Sequence, residues 1–318
     1  MGAYDTDILL ATYNGAQYLP QLLASLDRQT DQNWRLLARD DGSSDETVAM
    51  LRAWGRDKGA RFVLLEDEQK GLGATGNFNA LMQSCDADYF LLCDQDDVWL
   101  EDKVARLGAE IREQESKEGA RTPLIVHTDL IVVDHALNTI AKSFWDYQKI
   151  RMLPEKDPWK LMTLQNTVTG CAMIGNAALL KAALPIPEQA IAHDWWLAMI
   201  CALQGRITRL DGPSIFYRQH VGNVFGAQKH SAFAKLKIAA SAPHRALEIP
   251  NKILEETRKQ ADEVAIHLGD NLRVDEREFL LAYSKLADKG AMARKLFGWK
   301  NGLYFQGGTR NLALYLAI

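Results

Sequence analysis

The chain has 318 residues, 47% of them hydrophobic and 25% charged, with 37 Lys and Arg against 41 Asp and Glu and a net charge of −4. That length suits one large α/β domain with a smaller appendage, and the composition is typical of an ordinary soluble globular protein. The slightly acidic balance gives no reason to expect a nucleic-acid partner.

The cysteines and the N-terminus indicate the compartment. The four cysteines form no CxxC pair, which favours reduced thiols over a disulfide framework; they are Cys85, Cys93, Cys171 and Cys201. Residues 1–7 contain neither a basic nor an apolar segment, so we expect no signal peptide. The chain also lacks an apolar run of about 18 residues, the length that a membrane-spanning helix needs. We therefore expect a cytoplasmic protein.

The first part of the chain alternates strand and helix patterns. Leu19, Leu22 and Leu26 recur at the spacing of an amphipathic helix that follows the first strand. Four short, mostly apolar runs predict strands at residues 7–12, 34–38, 61–65 and 89–93. This β-α-β-α-β order predicts an α/β fold with a parallel, doubly wound sheet.

The pattern becomes less regular after the fourth strand. Residues 138–158 predict a long aromatic-rich loop, in which Phe144, Trp145 and Tyr147 form a lid that stacks on a substrate. Gly170 interrupts a strand pattern, which indicates a close approach of another group. The remaining predicted strands cover residues 124–126, 130–133, 167–174, 207–210 and 214–217.

The composition changes again from about Ser231, where charged, helix-type sequence begins. We expect two domains, residues 1–228 and 229–318, the second being helical. The segment 289–318 has five basic residues, no Asp or Glu, and several aromatic residues between them. That mixture suits peripheral contact with an anionic membrane surface. The alternative is a solvated helical appendage packed on the first domain.

Three carboxylates follow the fourth strand directly, at Asp94, Asp96 and Asp97. Ligands bind at the carboxyl ends of strands in open α/β sheets, and crowded carboxylates repel one another unless protons or a cation neutralise them. Helix capping uses one carboxylate rather than three. Mg²⁺ or Mn²⁺ fits best, because neither a thiolate nor a close pair of histidines accompanies the cluster.

Other acidic and basic groups are less specific. Asp194 lies between His193 and two tryptophans, so we expect it to be partly desolvated and to act as a base, although a plain helix cap is the alternative. His220 has a polar flank and is either a metal ligand or a structural histidine. Asp40, Asp41 and Asp129 also fall at predicted strand ends, where acidic residues often fill turns.

Several familiar motifs are weak or absent. Gly71-x-Gly73-x-x-Gly76 matches the dinucleotide fingerprint in form, but it follows an acidic loop instead of the first strand. The chain has no Walker A, GxSxG or HExxH sequence, which excludes phosphate-loop hydrolysis, serine hydrolysis and zinc proteolysis.

Seven motifs in a fixed order resemble family 2 glycosyltransferases with the GT-A fold, in which a Rossmann-like, mostly parallel sheet is flanked by helices. The resemblance covers about residues 5–226, and within that family the sequence most resembles bacterial rhamnosyltransferase-like members of polysaccharide assembly. The motifs are Ala11-Thr-Tyr-Asn14, Arg39-Asp-Asp-Gly-Ser-Ser-Asp45, Gly71 to Asn79, Leu91 to Trp99, Thr169 to Met173, His193-Asp-Trp-Trp196 and Tyr217-Arg-Gln-His220.

This resemblance implies an inverting transfer from a nucleotide-diphosphate sugar, for which we expect dTDP-L-rhamnose. The acceptor it implies is a growing bacterial polysaccharide or a lipid-linked glycan at the inner face of the cell membrane. Asp194 matches the catalytic base. Asp96 and His220 match ligands of Mg²⁺ or Mn²⁺, and Asp94 would face the donor.

The resemblance also assigns the surrounding residues. Donor binding falls to the loops after the first, second and fourth strands and to the glycine-rich helix start, at Thr12, Tyr13, Asn14, Asp40, Asp41, Gly76, Asn77, Asp94 and Gln95. Supporting positions are Asp97, His193, Trp195 and Arg218.

Two other functions use similar parts. A nucleotidyltransferase that makes a nucleotide-sugar also needs paired carboxylates around Mg²⁺. It usually carries a Gly-rich loop with Lys or Arg after the first strand. Residues Thr12 to Gly15 have neither feature. A non-catalytic nucleotide- or glycan-binding protein would not need both Asp194 and Asp94-x-Asp96. A glycosidase would not need the nucleotide-like first half.

Overall fold

The computed structural model describes residues 4–219, 243–306 and 311. In this part of the chain nine strands form one sheet. The strands are β1 Thr6–Thr12, β2 Trp34–Asp40, β3 Phe62–Leu65, β4 Tyr89–Asp94, β5 Val98–Trp99, β6 Leu124–Val133, β7 Thr139–Ala141, β8 Met173–Asn176 and β9 Arg206–Arg218.

Helices cover both faces of the sheet and continue into the C-terminal part. They are α1 Leu19–Asp27, α2 Thr47–Gly55, α3 Gly73–Gln83, α4 Lys103–Glu118, α5 Phe144–Gln148, α6 Pro158–Leu164, α7 Ala177–Ala183, α8 His193–Gln204, α9 Pro243–Leu268, α10 Val274–Ser284 and α11 Ala291–Lys300. Apolar side chains of these helices form two buried clusters with the strands, one on each side. The predicted α/β class is confirmed.

The first four strands are parallel, as the sequence predicts, and they lie in the order β3-β2-β1-β4. Thr12 pairs with Asp40, and Ala11 pairs with Asp94, so the three strands end in register. The loops that follow them therefore meet at one edge of the sheet, which is where open α/β sheets bind ligands.

The second half of the sheet is mixed rather than doubly wound and parallel. β8 runs antiparallel to both of its neighbours, β4 and β6, whereas β9 runs parallel to β6 and antiparallel to β5. The predicted strand 167–174 is wrong in its first part, because a 3₁₀ turn at Gly170–Ala172 precedes Met173. This turn places Gly170 at the site edge of the sheet.

Two predicted breaks do not exist. Residues 124–133 form one strand, and residues 206–218 form another. Thr128 and Asp129 lie inside β6 rather than at a strand end, because both find partners there. The Thr128 hydroxyl is hydrogen-bonded to the Ser214 hydroxyl at 2.6 Å. Asp129 accepts from the backbone N–H of Trp145 at 3.0 Å.

The predicted aromatic lid is wrong for Trp145. Residues 138–158 contain β7 and the short helix α5, whose N-cap Ser143 accepts from the Asp146 N–H at 3.0 Å. Trp145 is only 3% exposed, because α5 is anchored on Asp129 and packs its indole on the sheet. A buried ring cannot stack on a substrate at the surface.

The C-terminal helices pack on α6, α7 and α8. The rings of Trp159 and Phe279 meet edge to face at 4.9 Å, and His267 Nε2 lies 2.8 Å from the Ala182 carbonyl oxygen. The Gln260 side chain accepts from a backbone N–H just before α8. The helical region therefore shares its core with the sheet domain. The predicted boundary at residue 228 lies outside the described residues.

Candidate active site

Hydrogen bonds tie the loops after β1 and β2 together. The Thr12 hydroxyl donates to Asp40 Oδ1 at 2.9 Å, and Asp40 Oδ2 accepts from the Ser43 N–H at 2.7 Å. Asn14 has a φ of 49°, in the left-handed region that Asn tolerates better than most residues. Its side-chain oxygen accepts from the Ser44 N–H at 2.8 Å. These two loops form one preorganised wall.

Gln95 connects this wall to the loop after β4. The Tyr13 N–H donates to Gln95 Oε1 at 2.9 Å, and Gln95 Nε2 donates to the Tyr13 carbonyl at 2.8 Å. A Cβ on Gly15 would lie 2.2 Å from Gln95 Oε1, so a side chain at this position would displace the Gln95 amide from Tyr13. The Tyr13 side chain is 57% exposed, which leaves its ring available to a planar ligand.

Asp41 holds the N-terminus of α3. Its two oxygens accept from the backbone N–H groups of Leu72 and Gly73 at 2.9 and 2.8 Å. A carboxylate at this position is stabilised by the orphan N–H groups of the helix. A Cβ on Gly76 would lie 2.7 Å from Leu72 Cβ, so Gly76 permits the tight first turn. The glycine-rich motif therefore shapes a helix start.

Asn77 is buried behind this wall. Its amide nitrogen donates to the Arg39 carbonyl at 3.2 Å, and its oxygen accepts from Arg39 Nη1 at 3.0 Å. The Arg39 guanidinium in turn makes two 2.8 Å contacts with Asp67. Both ends of the Asn77 amide thus bind the ends of the strands, and contact with a ligand stays a prediction for this residue.

Two of the carboxylates after β4 form a compact group with a thiol, in which Asp97 and Cys171 are buried and Asp94 is half-buried. Ligand atoms of Asp94, Asp97 and Cys171 all lie within 4.8 Å of one another. Burial, together with repulsion from Asp96 and Asp194, raises the pKa of Asp94 to about 7. Burial and the same kind of repulsion hold the pKa of Asp97 well above its usual range. The group therefore favours either protons or a cation.

The donor set fits a hard divalent cation. Asp97 Oδ2 accepts no hydrogen bond from the described part of the chain. Burial and the adjacent carboxylates raise the pKa of the Cys171 thiol, which keeps it neutral, so carboxylate oxygens remain as the ligands that Mg²⁺ and Mn²⁺ prefer. Asp96 lies outside the compact group, and its role as a metal ligand stays a prediction. His220 lies outside the described residues.

Lys103 lies beneath the carboxylates at the start of α4. Its ammonium is fully buried, donates to the Cys171 carbonyl and sits 3.3 Å from the ring centroid of Trp99. Burial lowers the pKa of Lys103 to about 8, and attraction from the Asp97 and Asp94 carboxylates opposes that shift. Neither Lys103 nor Cys171 has a spacing in the sequence that indicates a site, so only the fold places them here.

Arg218, at the end of β9, clamps the loop that carries the carboxylates. Its backbone N–H donates to Asp97 Oδ1 at 3.1 Å, and its Nε donates to the Asp96 carbonyl at 2.7 Å. The guanidinium also donates to the His135 carbonyl and to Gln21 Oε1, and it is buried. Arg218 therefore fixes the loop of Asp96 and Asp97 against the end of β9, and its supporting role in the site stays a prediction.

Asp194 reaches the same place from the first turn of α8. Its Oδ2 accepts from the Gly170 N–H at 3.0 Å, and its charge contributes to the raised pKa of Asp94. A Cβ on Gly170 would lie 3.1 Å from Asp194 Cβ, which explains the predicted close approach. Next to it, His193 stacks on Phe78 at 4.1 Å, and burial lowers the pKa of that imidazole.

Trp195 points away from the carboxylates. Its indole N–H donates to the Met162 carbonyl at 2.6 Å, which ties α8 to α6. Trp195 therefore fixes the helix that carries Asp194 against α6, and its supporting role in the site stays a prediction. Taken together, the structure gathers the β1, β2 and β4 loops, the buried carboxylates and Asp194 at one edge of the sheet. This is the arrangement of a site for a polar ligand, a cation and a base.

Several known proteins are similar to this chain. The family described as Glycosyl transferase family 2 matches residues 7–120. The dTDP-rhamnosyl transferase RfbG of Shigella flexneri is 32% identical over 30% of this chain and 34% of that protein. The glucosyltransferase WfgD of Escherichia coli, which uses UDP-Glc and alpha-D-GlcNAc-diphosphoundecaprenol, is 30% identical over 33% of this chain and 40% of that protein. The chain thus aligns with only about a third of these relatives' lengths.

A solved structure extends the likeness to nearly the whole fold. The mannosyltransferase PcManGT from Pyrobaculum calidifontis, in complex with GDP-Man and Mn²⁺, superposes with a TM-score of 0.52 and 14% identity, over 98% of this chain and 86% of that one. The fold is therefore GT-A, a mostly parallel sheet with flanking helices and a helical C-terminal region. Residues 7–120 match the family 2 glycosyltransferases, which confirms the resemblance of the motifs in that range.

Proposed function

We propose that this protein is an inverting, divalent-cation-dependent glycosyltransferase that moves a sugar from a nucleotide-diphosphate donor to a glycan acceptor. One observation carries the proposal. The Gly170 N–H holds the Asp194 carboxylate close enough to Asp94 for the charge of one to raise the pKa of the other. A base and a cation-binding group therefore share one site next to the wall formed by the loops after β1 and β2.

Donor binding follows from the loops that form this wall. The exposed Tyr13 ring and the Thr12 to Asn14 backbone are available to the base and ribose, with Asp40 and Asp41 behind them. The other proposed donor contacts are Gly76, Asn77, Asp94 and Gln95. Because Gln95 bonds to Tyr13 across the cleft, the wall needs little rearrangement when a donor arrives.

The reaction requires a base for the acceptor hydroxyl and a Lewis acid for the diphosphate. Asp194 accepts the proton of an acceptor hydroxyl while that oxygen forms a bond to the anomeric carbon and the bond from that carbon to the diphosphate oxygen breaks. A single displacement of this kind inverts the configuration. The cation, when bound, supplies a Lewis acid for the charge that develops on the diphosphate. Asp94, Asp96 and Asp97 would hold it, with His220 completing its ligands.

The identities of the donor and of the acceptor are also proposed. We propose dTDP-L-rhamnose as the donor, supported by the similarity to a dTDP-rhamnosyl transferase. A growing bacterial polysaccharide or a lipid-linked glycan is the acceptor, supported by the similarity to a transferase that acts on a diphosphoundecaprenol-linked sugar. Such acceptors would place the enzyme in the cytoplasm, at the inner face of the cell membrane.

A donor screen tests this function. At about pH 8, where a carboxyl group with a pKa of about 7 is mostly ionised, one nucleotide-sugar should raise the unfolding temperature in the presence of Mn²⁺ and be slowly hydrolysed. EDTA should remove both effects. The measurements are thermal unfolding and released nucleoside diphosphate over a panel of dTDP-, UDP- and GDP-sugars. A response to nucleoside triphosphates instead would indicate a nucleotidyltransferase, and no response to any ligand would contradict the proposal.

A membrane contact is proposed for α11. Met292, Leu296 and Trp299 recur at i, i+4 and i+7 along this helix and are 82%, 59% and 74% exposed. Lys295 and Lys300 are exposed on the same helix. An apolar stripe flanked by lysines suits the surface of an anionic bilayer. None of the helices in the described ranges is long and apolar enough to cross a membrane.

Replacing both Leu296 and Trp299 by Ala should weaken binding to vesicles of phosphatidylglycerol and phosphatidylcholine about tenfold or more, because each buried apolar side chain contributes roughly 1.5–3 kcal/mol. Co-sedimentation measures the bound fraction. Ile266→Ala removes an exposed apolar residue from α9, at 68% exposure, and should change nothing. If the unchanged protein does not bind anionic vesicles, the helical region is only an appendage packed on the sheet domain.

A further inference from the structure

A cavity of about 70 Å³ lies where β6, β9 and α5 meet. A buried water needs at least about 10–15 Å³ by this measure, so the cavity has room for several waters or for one carboxylate or phosphate group. None of the residues around it belongs to the donor site described above. They are His127, Trp145, Ile150, Arg151, Met152, Leu153, Thr167, Ile207 and Arg209.

The fold brings three polar side chains together at this cavity. His127 and Arg209 are direct partners in the parallel pairing of β6 with β9, so their side chains leave the same face of the sheet. Asp129, two residues after His127, accepts from the backbone N–H of Trp145 at 3.0 Å and holds α5 over that face. The Trp145 ring centroid consequently lies 3.6 Å from the Arg209 guanidinium and 5.5 Å from the His127 ring.

All three side chains present a buried nitrogen without a partner. His127 Nδ1, Trp145 Nε1 and Arg209 Nε make no hydrogen bond within the described residues. His127 and Trp145 are 5% and 3% exposed, so these atoms are cut off from bulk water. An unsatisfied buried donor costs about 1–3 kcal/mol, and native proteins rarely leave several in one place.

The charge around the cavity has one sign. Arg151 and Arg209 line it, no Asp or Glu does, and Arg209 makes no ion pair among residues 4–219, 243–306 and 311. Burial and the Arg209 charge lower the pKa of His127 to about 4, so near neutral pH its imidazole is uncharged. A half-buried guanidinium whose Nε is buried, an indole N–H and a neutral imidazole form a donor set that an oxyanion satisfies.

We propose that this cavity binds an oxyanion, either a carboxylate or a phosphate group, and that the group is part of the acceptor. The second half of this statement rests on the proposed glycosyltransferase function. Thr167 lines the cavity, and Gly170, three residues later, holds Asp194. An acceptor anchored by its anionic group would thus lie along the segment that leads to the base. The donor site and the cavity would together select an anionic acceptor.

The test uses acetate and inorganic phosphate as probes for the full chain, at constant ionic strength set with chloride. Saturable binding of at least one probe, followed by tryptophan fluorescence or calorimetry, is expected. Arg209→Gln should weaken it about tenfold to a hundredfold, the range for loss of a hydrogen bond to a charged group. Arg206→Gln is the matched control, because Arg206 lies on the same strand but pairs with Glu118 at the surface.

A second variant keeps the test independent of folding. Trp145→Phe retains a six-membered aromatic ring and removes the indole N–H together with the five-membered ring, so it should weaken the preferred probe several-fold. Preference for acetate would indicate an acidic sugar or other carboxylate, and preference for phosphate would indicate a phosphorylated glycan or lipid carrier. No saturable binding, or equal weakening by Arg206→Gln, would mean that the cavity holds only water and would overturn the proposal.

Hydrolysis of the donor separates this inference from the proposed function. Arg209→Gln should leave Mn²⁺-dependent donor hydrolysis unchanged, while it reduces transfer to an acceptor that carries the preferred anionic group. If the unchanged protein binds an oxyanion but hydrolyses no donor, the glycosyltransferase function fails and the cavity stands. If it hydrolyses a donor but binds neither probe, the cavity proposal fails alone.

Discussion

Asp194→Asn is expected to lower sugar transfer by about 10²- to 10⁴-fold, the usual contribution of a positioned general base. The amide retains an oxygen that can accept from the Gly170 N–H, so the start of α8 should keep its position. It cannot take the proton of the acceptor hydroxyl. The loss should therefore fall on kcat, while the dissociation constant of the donor in Mn²⁺ stays within about twofold.

The measurement is initial-rate kinetics with the donor that the screen identifies, combined with calorimetric titration of the same donor. Asp57→Asn is the matched control, because Asp57 is exposed in the loop after α2 and should leave both quantities unchanged. Two outcomes contradict the assignment. Full activity in Asp194→Asn would exclude this carboxylate as the base, and loss of donor binding would reassign it to the donor site.

Arg218→Lys is expected to destabilise the fold and the cation site together. The guanidinium is 1% exposed and donates to the Asp96 carbonyl, the His135 carbonyl and Gln21. A lysine keeps the charge but replaces a planar fork with one compact ammonium, which cannot reach all of these acceptors. Leaving buried acceptors without donors should reduce the free energy of unfolding by about 2–4 kcal/mol.

The same substitution releases the loop that carries Asp96 and Asp97. Affinity for Mn²⁺ should fall about tenfold or more even at a temperature where the variant is fully folded, because the carboxylates lose their fixed spacing. Urea unfolding and Mn²⁺ titration measure the two effects. Arg206→Lys, an exposed change on the same strand, should alter stability by less than about 0.5 kcal/mol. Unchanged stability in Arg218→Lys would falsify the role of the Arg218 guanidinium in holding this loop.

Much of the fold could be predicted because its signals are local. The apolar runs of β1, β2 and β4 each precede a polar loop, and α1 repeats leucine at helical spacing. These patterns depend on neighbours along the chain, so the parallel half of the sheet is confirmed. The predicted close approach at Gly170 is confirmed for the same reason, since a glycine inside a strand pattern is a local signal.

The errors all involve residues whose partners are distant in the chain. The polar residues Thr128 and Asp129 were expected to end a strand, but Ser214 and Trp145 satisfy them inside β6. The aromatic run 144–147 was expected to face a substrate, but Asp129 draws Trp145 into the protein. Burial of a polar or aromatic group depends on whether a partner reaches it, and that partner cannot be found from local spacing.

The sequence by itself determined which chemistry is present: the carboxylates at Asp94 to Asp97 after a buried strand, Asp194 at the start of a helix, and the order of motifs typical of the family. Only the tertiary structure decided how they act on one another. Asp97 accepts a hydrogen bond from the backbone of Arg218, which is 121 residues later in the chain. Lys103 donates to the carbonyl of Cys171, which is 68 residues later. Electrostatic and hydrogen-bond energies depend on distance in space, and in this chain that distance is set by how the sheet brings its strands together.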